Sequence, residues 1–233
     1  MKKIRNIIVI ALLVIITLAF LEYKGIIWHN SFFAKKYEVK GLDVSHYQGD
    51  INWSEVVKEN EYQFVFIKAT EGNDFIDKKF DYNWKEAKKQ GILTGAYHFF
   101  SMRSSAEKQA ENFINIVPNE TDSLPPVIDI EIHLKHDPKK VRDEIQTLAH
   151  LLENYYEKKP ILYVTYSTYN TYIKDEFIDF DIWIRDIIKF PTLGERKWIF
   201  WQYNNRGRID GINMYVDINV FNGNIEEFNK KFR

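Results

Sequence analysis

From residue 39 onward, apolar and polar positions alternate in short runs separated by longer segments with helical spacing. In 39–46, an extended backbone puts Leu42 and Val44 on one face and Gly41, Asp43 and Ser45 on the other. Apolar runs of strand length recur at 64–69, 92–100, 127–132, 161–166, 181–184, 198–203 and 215–220. Between them, 50–60, 80–90, 104–117, 137–158 and 169–176 read as helices. Gly91 and Pro118 act as stops, and Asp137-Pro138 opens the longest. Five strand–helix alternations followed by three strands without packing helices predict an α/β fold, an incomplete TIM-like barrel of eight strands and about five helices, (β/α)5(β)3. A doubly wound open sheet is the alternative.

The run after Pro125-Pro126 carries two acids at alternate positions. As a strand it sends Val127, Asp129 and Glu131 to one face and Ile128, Ile130 and Ile132 to the other. At about 3.3 Å per residue the two acidic positions lie roughly 6.6 Å apart, close enough for each charge to raise the other's pKa. An acid pair at a solvated strand end is the ordinary explanation. Asp43 in the first strand and Asp217 in the last repeat the pattern, so a closed barrel brings all four acids toward one cleft.

The first residues are patterned differently. Lys2, Lys3 and Arg5 precede an uncharged run, 7–21, that is apolar on every side. This is the form of an export signal or, uncleaved, of a signal-anchor holding the domain on the outer face of the membrane. The expected organisation is a leader at 1–25, a linker at 26–39 and one catalytic domain at 40–233. The expected location is the cell envelope or the exterior.

Composition narrows the chemistry. Lys and Arg total 32 against 33 Asp and Glu, so no basic field favours nucleic acid. The chain has no cysteine, which excludes disulfides, thiolate catalysis and Cys-ligated zinc. None of His29, His133, His136 and His150 falls in a metal-like spacing, and His98 reads as structural. Aromatic residues make up 16%, a supply of core side chains and of stacking surfaces for sugars.

Six segments, Gly41-Leu42-Asp43-Val44-Ser45-His46-Tyr47-Gln48-Gly49, Phe66-Ile67-Lys68-Ala69-Thr70-Glu71-Gly72, Gly95-Ala96-Tyr97-His98-Phe99, Asp129-Ile130-Glu131, Trp201-Gln202-Tyr203 and Val216-Asp217-Ile218-Asn219, together resemble glycoside hydrolase family 25, the N-acetylmuramidase type of lysozyme. The resemblance implies cleavage of the β-1,4 bond between N-acetylmuramic acid and N-acetylglucosamine in peptidoglycan, without metal or organic cofactor; a monomer acting on glycan strands is the expected state. It implies Glu131 as general acid and Asp129 as the group that orients the substrate's 2-acetamido group. Asp43 and Asp217 would stabilise positive charge. Tyr97, Tyr166, Trp183, Gln202, Lys68 and Glu71 are the expected substrate contacts, and Trp201 is a further aromatic candidate. Two other functions compete: a noncatalytic glycan-binding module, and a chitinase-like hydrolase, against which Val127 argues because a further Asp is usual there. Trp183-Ile184-Arg185-Asp186-Ile187 departs from the family's usual small and aromatic residues, in a loop expected to border the cleft.

Overall fold

The computed structural model describes residues 2–58 and 61–233. Strands β1 (Lys40–Val44), β2 (Tyr62–Glu71), β4 (Leu93–Phe99), β5 (Val127–Ile130), β6 (Ile161–Val164), β7 (Ile182–Arg185), β8 (Phe200–Ile209) and β9 (Ile212–Phe221) form a closed ring, with β1 pairing both β2 and β9. Closure excludes the open doubly wound sheet. β3 (Phe75–Ile76) is a short addition to the edge of β2. β9 runs antiparallel to both of its neighbours, while the other ring pairings are parallel. Asp217 therefore reaches the cleft from the middle of its strand, where a parallel strand would have supplied its carboxyl end.

The alternation separates two apolar regions. Leu42, Val65, Ile67, Ile128, Ile130 and Ile184 face outward, beneath α4 (Phe80–Lys89), α5 (Ala106–Ile116) and α6 (Pro138–Tyr156). α6 starts where Asp137 accepts a hydrogen bond from the Lys140 amide, 2.9 Å, ahead of Pro138, and it buries Val141, Ile145, Leu148 and Leu152. The opposite faces fill the barrel with Phe64, Phe66, Val127, Trp183, Phe200 and Phe221. Gly95 makes room there: a Cβ would lie 2.6 Å from the Phe66 ring.

Several elements differ from the pattern reading. The helix expected at 50–60 is a single turn, α3 (Trp53–Val56), and residues 59 and 60 lie outside the described residues. The segment expected at 169–176 is α7 (Tyr166–Thr168) followed by a π-turn at Tyr169–Ile173. β8 and β9 extend past the barrel as a hairpin turned at Asp210-Gly211, with Gly211 at φ +90°. α8 (Ile225–Phe232) was not anticipated; Asn224 and Glu227 cap it reciprocally, and Phe228 and Phe232 close the barrel floor against Phe64, Phe200 and Phe221.

Residues 26–39, read as a linker, are packed onto the barrel wall. Trp28 Nε1 donates to the Tyr203 carbonyl at 2.6 Å, and buried Asn30 donates to the carbonyls of Asp186 and Tyr203 at 3.1 and 3.3 Å. Ala34, in the single-turn helix α2 (Ser31–Ala34), joins the outer core. Upstream, α1 (Lys2–Tyr23) has no buried residue, and its last carbonyl accepts from Arg206 at 2.8 Å.

Candidate active site

A cleft of about 360 Å³ opens at the end of the barrel opposite α8. The strand registers make it a ring. Asp129 pairs with Tyr163, Tyr163 with Trp183, Arg185 with Gln202, Gln202 with Asn219, and Asp217 with Asp43. Because alternate residues face inward, these side chains converge on the same space, and Glu131 enters it one residue past the end of β5. Asp43, Asp129, Glu131 and Asp217 all line the cleft.

Their charge states follow from burial and mutual repulsion. Burial, then the Asp217 charge, raises the Asp43 pKa well above the usual carboxylate range. A 2.7 Å hydrogen bond from Asn219 Nδ2 opposes the rise. Burial and Glu131 raise Asp129, with Lys68 opposing. Burial raises Glu131, against the Arg185 guanidinium. Asp217 is pushed up to about 7 by burial, again against Arg185. Such a cluster retains protons near neutrality. Asp129 Oδ1 is also buried with no hydrogen-bond partner among the described residues, so nothing there offsets the desolvation that favours the protonated carboxyl.

The expected contacts divide. Tyr97 and Lys68 line the cleft. Lys68 is buried, lies over the Phe75 and Phe99 rings and is tied to Glu71 Oε2 at 2.8 Å. Glu71 itself stays outside the cleft lining and positions the Lys68 amine. Trp183 is 2% exposed, tilted against Phe66 with ring centroids 4.7 Å apart, and its indole donates to Asn219 Oδ1 at 2.8 Å, so little of the ring reaches the cleft floor. Gln202 accepts from the Tyr163 hydroxyl at 2.5 Å and faces Asp43. Tyr166 is displaced from the cleft: Thr165 starts a helical turn straight after β6, and the Tyr166 hydroxyl meets the Thr192 amide at 2.8 Å. Trp201 faces the outer core and donates to the Asp186 carbonyl at 2.8 Å. His98 is buried between Thr70 and Gln109, and burial pushes its pKa down to about 4, a neutral structural ring.

Tyr163 and Arg185, which line the cleft, and buried Asn219, which donates to Asp43, were not among the expected site residues. The inward register of β6 and β9 was the available signal for Tyr163 and Asn219, since Tyr163 alternates with Ile161 and Asn219 with Asp217. Arg185 lies in the atypical segment, and of its charged pair only Arg185 faces the cleft. The Asp186 carboxylate turns away to cap the amides of Ile188 and Lys189 at 3.1 and 2.9 Å.

The model of glycosyl hydrolases family 25 matches residues 42–212. The chain belongs to this family. A family 25 glycosyl hydrolase from Bacillus anthracis superposes with a TM-score of 0.81 at 47% identity, covering 85% of this chain and 95% of that one. A lysozyme from Streptomyces coelicolor gives 0.72 at 32% identity over 81% and 94%. Lysozyme M1 of Streptomyces globisporus is 34% identical over 79% of this chain and 68% of that protein. YegX of Escherichia coli, named as uncharacterized, is 38% identical over 82% and 72%. This family 25 member is a glycoside hydrolase of the lysozyme type, a peptidoglycan hydrolase.

Proposed function

We propose that the chain is an exported N-acetylmuramidase in which Glu131 protonates the glycosidic oxygen of the β-1,4 bond between N-acetylmuramic acid and N-acetylglucosamine. The observation that carries this reading is the acid pair lining the cleft, with buried Asp129 on β5 and the partly exposed Glu131 free of the strand ladder beside it. An acetamido N–H donating to Asp129 holds that carboxyl ionised. The proton of the coupled pair then resides on Glu131, where a general acid needs it. The acetamido oxygen attacks the anomeric carbon as the glycosidic bond breaks and Glu131 delivers its proton. Glu131, now a carboxylate, takes a proton from the water that opens the cyclic intermediate. The positive charge developing at the anomeric carbon favours the ionised forms of Asp43 and Asp217, whose carboxylates then oppose it. The cleft is complete within one chain, which supports a monomer acting on glycan strands.

α1 is 22 residues long with a mean hydropathy of 2.7 in its most apolar window, and Lys3 and Arg5 lie in its first turns. This supports a signal or anchor with the barrel on the outer face. Glu131→Gln tests the enzymatic reading. Release of reducing ends from purified peptidoglycan is abolished while circular dichroism and melting temperature stay near wild type. Retained turnover refutes the assignment.

A further inference from the structure

The cleft is lined by four acids and two bases, and the two bases are not equivalent. Lys68 is buried and committed to Glu71 at 2.8 Å. Arg185, at the last position of β7, is one-third exposed, and Glu131 is the one carboxylate within ion-pair range of it among the described residues. That contact, Nε to Oε1 at 3.9 Å, is longer than a hydrogen bond, so the guanidinium's donors remain open toward the cleft. Its backbone is held in place. The Asp186 amide donates to the Gln202 carbonyl at 3.1 Å, and the Asp186 carbonyl receives both the Trp201 indole and the Asn30 amide.

An otherwise acidic cleft repels any substrate that carries its own carboxylate, and N-acetylmuramic acid carries one on its 3-O-lactyl arm, or further along the peptide joined to that arm. A guanidinium carried on this anchored backbone beside the proposed acid supplies the counter-charge, in the fork geometry that suits a carboxylate. We propose, building on the muramidase reading, that Arg185 is a specificity-determining residue that binds the carboxylate of the muramyl unit next to the bond being cleaved. Binding also draws the guanidinium away from Glu131. Recognition of the anionic sugar thereby favours the protonated acid that the reaction consumes.

The test compares glycan strands stripped of peptide, bearing free lactyl carboxylates, with the same strands after conversion of that carboxyl to its methylamide. A third substrate carries intact peptide stems. The wild-type protein prefers the acid to the methylamide by about tenfold or more in kcat/KM, the size of one charge-assisted bidentate contact. Arg185→Gln brings the acid-to-amide ratio close to one, and Arg185→Lys, which keeps the charge and loses the fork, falls between. Preference confined to peptide-bearing strands assigns the recognised carboxylate to the stem. A ratio unchanged in Arg185→Gln, or equal losses on all three substrates, overturns the proposal and leaves Arg185 as a positioning residue for Glu131. Absence of wild-type turnover on every strand refutes the muramidase reading instead.

Discussion

Asp217→Asn tests whether the cleft acids are held protonated at a cost in stability. Asp217 stands opposite Asp43 across the β1–β9 pairing, and burial pushes its pKa up to about 7 from an ordinary 3.8. The folded value lies above the unfolded one, so the proton is bound more tightly in the native state. The associated stability is fully present below about pH 4 and is lost as pH rises toward 7. At about 1.36 kcal/mol per pH unit, the loss between pH 5 and pH 8 is at most roughly 2–3 kcal/mol. Contact with solvent at the cleft reduces it to about 2 kcal/mol. For a chain of this size that corresponds to about 4–8 °C in melting temperature. Asn is neutral and nearly isosteric, so the variant lacks this pH dependence. Melting curves of both proteins at pH 5 and pH 8 should show the wild type losing about 4–8 °C more than Asp217→Asn across that interval. Parallel pH responses in the two proteins refute the argument that Asp217 is a buried, proton-retaining acid.

Asn219→Ala removes the donor to Asp43 and leaves the Trp183 indole N–H without its acceptor. We expect a loss of about 2–4 kcal/mol by denaturant titration and reduced turnover on peptidoglycan, whereas a midpoint within error of wild type sinks the bridging role. Gly95→Ala drives a methyl to within 2.6 Å of the Phe66 ring and 2.8 Å of Leu124 Cβ. It should cost about 1–3 kcal/mol in the same titration, and an unchanged midpoint would mean that the barrel interior has slack there.

Alternation exposed the acids because Asp43, Asp129 and Asp217 sit at inward positions of strands whose outward neighbours are aliphatic, as with Asp129 between Ile128 and Ile130, and Glu131 continues that alternation one residue past β5. It failed where residues leave the ladder or the barrel. The arm of the β8–β9 hairpin runs through Asn204-Asn205-Arg206-Gly207-Arg208, which projects past the core and needs no apolar face. Tyr166 follows a strand in sequence, yet the Thr165 cap turns the chain before its side chain reaches the cleft. α8 was legible in principle, from Phe228 and Phe232 one turn apart behind an Asn224/Glu227 capping box, but a closing helix after the last strand is no part of a strand–helix rhythm. The docking of 26–39 depends on backbone carbonyls of distant strands, to which composition gives no clue.

With α1 held in a membrane, that docking would limit how far the barrel could reach. Fourteen residues in free extension would span about 46–50 Å and let the barrel roam across many layers of wall. Here Trp28 and Asn30 bind the barrel wall, and Arg206 and Arg208 grip the carbonyls of Tyr23 and Lys24. If α1 stays in the membrane, the catalytic unit is a fixed-height tool.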